Sequence, residues 1–150
     1  MAASPGAHAE TVRSHFYSAT SVCEAPLPIY DATLRKRPLG ISNEGSDVIF
    51  ISCSMPGDYV GNVETATVRI TVTGLDAGGS VNCTLVGGSR YGMVFRTGSV
   101  DVAMGANAEL LWDDVDKSTT FGSYNFSCYV PPGVELNNLM VIQRDTFDRL

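Results

Sequence analysis

Thr65-Ala66-Thr67-Val68-Arg69-Ile70-Thr71-Val72-Thr73 is the stretch that decides the fold. Val68, Ile70 and Val72 alternate with Thr67, Arg69, Thr71 and Thr73. That period of two puts one face in a core and the other in water, as a half-buried β-strand requires. The pattern returns at 81–86, where Val81, Cys83 and Leu85 interleave with Asn82 and Thr84. It returns again at 123–130, where Tyr124, Phe126, Cys128 and Val130 interleave with Ser123, Asn125, Ser127 and Tyr129. Further strands are expected at 91–96, 99–103, 107–113 and 138–143, and short edge strands within 29–42, where Pro38 bars a central position. In 47–54 both parities are apolar through Val48, Ile49, Phe50 and Ile51, so this strand is either covered on both faces or offers one to a partner.

Turn signals punctuate these runs: Asn43-Glu44-Gly45, Pro56-Gly57, Asp76 to Gly79, Gly87-Gly88, Gly98, Gly105, Gly122 and Pro131-Pro132-Gly133. No long window carries a helical stripe. Repeated short strands with this spacing predict an all-β fold, an antiparallel β-sandwich, with a jelly roll or an immunoglobulin-like sandwich as alternatives. The immunoglobulin topology fits poorly, because Trp112 follows Cys83 by 29 residues instead of lying close behind the first cysteine.

Ahead of the strands, residues 1–22 show no period and read as an irregular N-terminal arm, with the sandwich domain spanning 23–150. Ala7-His8-Ala9 has the small-x-small form of a signal-peptidase site, so residues 1–9 are read as a signal-peptide remnant and Glu10 as the first mature residue. No apolar run approaches the roughly 18 residues of a membrane-spanning helix, and no membrane span is expected.

The chain has 150 residues, enough for one sizeable core. Charged residues are only 17%, so Ser, Thr, Asn and Gly must supply much of the surface. A net charge of -6 argues against nucleic acid, whose phosphates call for clustered Lys and Arg. The one basic run, Arg35-Lys36-Arg37, reads as a solvated strand edge.

Cys23, Cys53, Cys83 and Cys128 are well separated and contain no Cys-x-x-Cys pair, which favours disulfides in an oxidising compartment over zinc. Of the three pairings, Cys23–Cys53 with Cys83–Cys128 is preferred, because Cys83 and Cys128 both lie on the apolar face of a strand and can meet through the core. Each closed loop stabilises by roughly 3 to 4 kcal/mol in the chain-entropy account.

Four stretches carry a resemblance: Gly40-Ile41-Ser42-Asn43, Ile51-Ser52-Cys53-Ser54-Met55-Pro56, Val81-Asn82-Cys83-Thr84-Leu85 and Phe126-Ser127-Cys128-Tyr129-Val130-Pro131-Pro132-Gly133. In these the chain resembles uncharacterised secreted bacterial four-cysteine β-sandwich proteins. The resemblance implies a secreted sandwich and carries over no active residue.

Chemistry-bearing motifs are sparse. Asp114-x-Asp116-x-Ser118 places three oxygen donors at alternate positions, as calcium loops do, but the Gly and the later Glu of a full loop are missing and Lys117 opposes a cation. The segment therefore reads as an acidic turn, and no cofactor is expected. A Ser–His nucleophile pair would need His8 or His15, both in the arm; Glu109 and Asp113 are the carboxylates that could serve a glycosidase. Asn82-Cys83-Thr84 and Asn125-Phe126-Ser127 match the glycosylation sequon. Trp112, Tyr91, Tyr59 and Tyr129 are candidates for stacking on sugar rings; Tyr129 points outward by strand parity, whereas a lone Trp is usually core.

These features favour a non-catalytic secreted or cell-surface structural protein. It would self-associate into an oligomer or filament through Val12, Phe16 and Tyr17 of the arm or through the apolar face at Val48 and Phe50. An extracellular glycan- or protein-binding module is the alternative, and a secreted hydrolase the third reading.

Overall fold

The alternation at 65–73 is observed: Ala66, Val68, Ile70 and Val72 are fully buried, while Arg69, Thr71 and Thr73 reach the surface. A computed structural model describes residues 9–57, 63–115 and 122–147. In chain order its elements are β1 (Ala9–Ser18), the one-turn α1 (Ala19–Val22), β2 (Cys23–Glu24), a 3₁₀ turn (Pro28–Tyr30), β3 (Leu34–Arg37), β4 (Gly40–Asn43), β5 (Ile49–Pro56), β6 (Val63–Gly74), β7 (Gly79–Ser89), β8 (Gly92–Val102), β9 (Asn107–Val115), β10 (Ser123–Val130) and β11 (Val134–Phe147).

The strands form two antiparallel sheets. One runs β3-β4-β11-β6-β9, with β1 also on β11; the other runs β2-β5-β10-β7-β8. Numbering β4 to β11 as eight strands, the first sheet orders them one-eight-three-six and the second two-seven-four-five. That is the double Greek key of a jelly roll, and it excludes the immunoglobulin topology. The inward rows of both sheets make one core, with Ile41, Ile51, Met55, Ile70, Leu85, Tyr124, Phe126, Leu136 and Leu139 fully enclosed. Each large side chain taken from water there stabilises by roughly 1.5–3 kcal/mol.

Several expectations are corrected. The arm is not irregular: Ala9–Ser18 is a strand whose ten residues pair antiparallel with β11, Ala9 opposite Phe147 and Ser18 opposite Asn138. β11 makes this room by its length, holding β4 at Glu135 and Leu136 and β1 from Asn138 onward along the same edge. The segments 91–96 and 99–103 are one strand, β8, and Gly98 lies inside it. Gly87 and Gly88 lie inside β7, and the chain reverses between Ser89 and Gly92. Val48 precedes β5 and is exposed.

Both disulfides pair as expected, Cys23–Cys53 and Cys83–Cys128. Their placement differs. Neither crosses the core between sheets: Cys23 is the register partner of Cys53, and Cys83 of Cys128, on neighbouring strands of the five-stranded sheet, with Cα separations of 4.0 and 4.1 Å. Directly opposed residues at non-hydrogen-bonded positions are the closest a sheet allows, and a short bridge fits between them.

The turn at Asn43 is built on its buried side chain, whose Nδ2 donates to the Asp47 and Val130 carbonyls at 2.8 and 2.9 Å, while Oδ1 accepts from the Gly45 amide at 2.9 Å. It ties β4 to the end of β10, where the sheets meet.

Candidate functional site

Strand parity turns Cys83, Leu85, Phe126 and Cys128 into the core, so their neighbours face out and form an orderly grid on the five-stranded sheet. Register fixes the rows across β5, β10, β7 and β8. The first is Phe50, Tyr129, Asn82, Ser99. The second is Ser52, Ser127, Thr84, Thr97. Ser54, Asn125, Val86 and Phe95 make the third, and Pro56, Ser123, Gly88 and Met93 the fourth.

The grid combines hydroxyls and amides with a few exposed rings. Tyr129 is 56% exposed and Phe95 61%. Phe50 braces Tyr129 edge-on, with ring centroids 4.7 Å apart, a favourable geometry that holds the phenol ring in place. Ser52 and Ser127 hydroxyls bond each other at 3.0 Å, and Asn125 Nδ2 donates to Ser123 Oγ at 2.6 Å. A shallow cavity of about 310 Å³ opens beside Tyr129, walled by Asn82, Thr84, Thr97 and Ser99 and floored by the backbone at Cys83 and Gly98.

The floor depends on what lies beneath it. Trp112, on β9 of the opposite sheet, is 6% exposed and comes under Gly98; a Cβ there would meet Trp112 Nε1 at 3.1 Å and Leu110 Cδ1 at 2.9 Å. Gly98 is therefore the residue that lets the indole reach the underside of the edge strand. Trp112 also lies near Phe126, with ring centroids 6.5 Å apart. This corrects Trp112 as a stacking platform: it is core.

The other sequence candidates disperse. Tyr91 is fully exposed at the β7–β8 hairpin, away from the cavity, and Tyr59 lies outside the described residues. Asp116 and Ser118 also lie outside them; Asp114 is exposed in β9 with a φ of 51°, and no cluster of metal-ligating side chains occurs among the described residues. Glu109 faces Arg69 at 3.4 Å and Asp113 accepts from Thr67 at 3.0 Å, both on the outer face of the six-stranded sheet, engaged with neighbours and not facing across a cleft. His15 belongs to β1; His8 and most of the Ala-x-Ala stretch are outside the described residues. Both sequon asparagines, Asn82 and Asn125, stand on the outward grid.

Of the assembly candidates, Val12 and Phe16 are exposed on β1, Tyr17 donates its hydroxyl to the Pro56 carbonyl at 3.3 Å, and Phe50 is taken up with Tyr129. The basic run sits on edge strand β3. Glu44 receives both Arg35, at 3.1 Å, and Arg37, and Lys36 reaches the Thr20 carbonyl at 3.4 Å. Hydrogen bonds from Arg37 and then Arg35 hold the Glu44 carboxyl below the usual carboxylate range, and the same pairing raises Arg37.

A jelly-roll module with a bonded polar face is the class defined by these features. No family model and no curated protein sequence matches the chain. Among solved structures it is similar to the C-terminal carbohydrate-binding module, CBM6, of LamC, a marine laminarinase from Zobellia galactanivorans. The TM-score is 0.52 at 12% identity, over 86% of this chain and 98% of that one. It is also similar to BiXyn10A CBM1 in its apo form, with a TM-score of 0.51 at 13% identity, over 89% of this chain and 97% of that one. At such identities the likeness is one of fold.

Proposed function

We propose that the protein is an extracellular glycan-binding module, and that it binds on the outer face of the five-stranded sheet. One observation carries this: the cavity beside the exposed, braced Tyr129 is walled by hydroxyl and amide side chains. An aromatic face receives the apolar side of a sugar ring, and fixed Ser, Thr and Asn groups exchange hydrogen bonds with its hydroxyls. Ligand sites commonly combine an apolar platform with a few oriented polar groups in this way. The fold likeness to the LamC module and to BiXyn10A CBM1 supports it. The two disulfides fit an oxidising, extracellular setting.

Self-association now has less in its favour. The part of the arm that the structure describes as a strand, Ala9–Ser18, pairs with β11 of its own chain.

Affinity electrophoresis through gels containing soluble neutral polysaccharides tests the proposal. Migration should be retarded by at least one polymer, and Tyr129→Ala should abolish the retardation with the melting temperature unchanged. Unretarded migration in every gel would overturn it.

A further inference from the structure

Tyr129, in the first row of the polar grid, and Phe95, in the third, are set diagonally across it. Tyr129 is on β10; Phe95 is on β8, two strands away, and four residues along from Ser99, which shares the Tyr129 row. With strands about 4.8 Å apart and about 3.4 Å per residue along each, their Cα atoms are separated by roughly 17 Å. A single sugar ring, of aromatic dimensions, cannot touch both. Thr84 lies on the diagonal between them, flanked by Asn82 and Thr97, three hydroxyl- or amide-bearing side chains at the surface.

Charge narrows the occupant further. The chain carries ten basic and sixteen acidic residues, yet the sixteen grid positions hold no Asp, Glu, Lys, Arg or His. At the Tyr129 end, the first charges met on leaving it along its own rows and strands are acidic: Glu24 beside Ser52 on edge strand β2, and Asp101 beyond Ser99 on β8. At the other end Arg90 lies past the grid, in the hairpin that follows β7, and Arg96, between Phe95 and Thr97 on β8, turns to the Asp114 carbonyl at 3.5 Å on the opposite sheet. The two acids flank the line from Tyr129 to Phe95, one on each side at roughly 12 Å, and disfavour a carboxylated or sulfated polymer lying along it.

We infer that the sheet face is a two-platform site for an extended, uncharged oligosaccharide that crosses the strands obliquely, one ring on Tyr129 and another, several units along, on Phe95. It rests on the glycan-binding reading and adds to it a length requirement, a charge requirement and a second essential residue. Phe95 is then not a stray exposed ring on an edge strand but the far support of the ligand. Such a site takes internal stretches of a polymer, because recognition is spread along the chain instead of closing round an end.

The test is titration calorimetry of the whole protein with a length series, disaccharide to hexasaccharide, cut from whichever neutral polysaccharide retards it, alongside an acidic polymer of uronate units. Affinity should rise with length and step up by about two- to tenfold once the oligosaccharide reaches both rings, the worth of one added aromatic contact. Phe95→Ala should remove that step while leaving short-chain affinity unchanged; Phe95→Tyr should restore it; Tyr129→Ala should weaken short and long chains alike. Phe95 is mostly exposed, so its replacement should not move the melting temperature. The uronate polymer should bind more weakly than the neutral one. A disaccharide that binds as tightly as the hexasaccharide, an unchanged hexasaccharide affinity in Phe95→Ala, or tighter binding of the uronate polymer would overturn this inference while the glycan-binding reading stood. No binding to any neutral glycan would overturn both.

Discussion

Replacing Cys83 and Cys128 together by Ala should cost this protein a large share of its stability, and the structure says through which state. The two residues are register partners on β7 and β10, so those strands remain hydrogen-bonded neighbours whether or not the sulfurs are joined. What the bridge changes is the unfolded chain, in which it closes a loop of 45 residues. In the chain-entropy account, that closure is worth about 4 kcal/mol. For a domain of this size, such a loss lowers the melting temperature by about 8 to 16 °C. Urea denaturation followed by fluorescence of the single, buried Trp112 measures it. The midpoint should fall, and the slope should rise, because an unbridged chain exposes more surface on unfolding. A Val pair at the same positions fills the space left by the sulfurs, and should recover only the small packing contribution. If the Val pair recovers most of the loss, the bridge acts by packing in the native sheet. If the Ala pair unfolds at the wild-type midpoint, the entropic reasoning fails altogether.

Other outcomes follow from particular contacts. Gly74→Ala would push a Cβ into the backbone carbonyls of Ala103 and Ala77, which cannot swing aside as side chains do, so a loss of about 1–3 kcal/mol is expected in the same urea titration. Removal of residues 1–18 deletes β1 and bares the β11 edge from Asn138 to Phe147; the truncated protein should melt earlier and sediment as larger species, and an unchanged melt with strictly monomeric sedimentation would show β1 to be dispensable. Glu44 has a lowered pKa in the folded protein, so its pairing with Arg37 and Arg35 adds stability above the ordinary carboxylate range and loses it as pH falls through the folded value. Glu44→Gln should therefore melt below wild type at neutral pH, with the gap closing in acid and shrinking at high salt; a gap that persists in acid would refute the electrostatic origin.

The fold was legible wherever a strand has one wet face. Val68, Ile70 and Val72, like Phe126 and Cys128, announce their sheet because water on the other side demands Thr, Ser or Asn between them. Legibility failed where a local signal was outvoted by packing. Gly98 is a turn residue by composition; in the structure it is a mid-strand gap that admits Trp112 from the opposite sheet. Reading it as a turn split β8 in two and hid the outward row Met93, Phe95, Thr97 and Ser99, and with it one of the four strands of the candidate face. Tyr129 was found because β10 is unbroken. The arm was missed for a different reason: Thr11, Ser14 and His15 give β1 no clean period, since an edge strand over the flank of a sheet buries little, and its pairing is set by the length of β11, far away in sequence. The bridges were correctly paired, but parity cannot tell a neighbour in the same sheet from a partner across the core.

Because Ala9 lies opposite Phe147, the chain enters and leaves the described fold at the same place. Tension applied through those two points would load the β1–β11 ladder end-on. Its hydrogen bonds would then break in succession, as a zipper opens, without the collective resistance of strands sheared lengthwise. Unravelling would still be bounded, for the bridged loops, 30 and 45 residues in separation, could not be drawn out. Both staples belong to the sheet that bears the candidate face, and none joins strands of the sheet that holds β1 and β11. A molecule pulled at these two points would give way first on the side away from the candidate face.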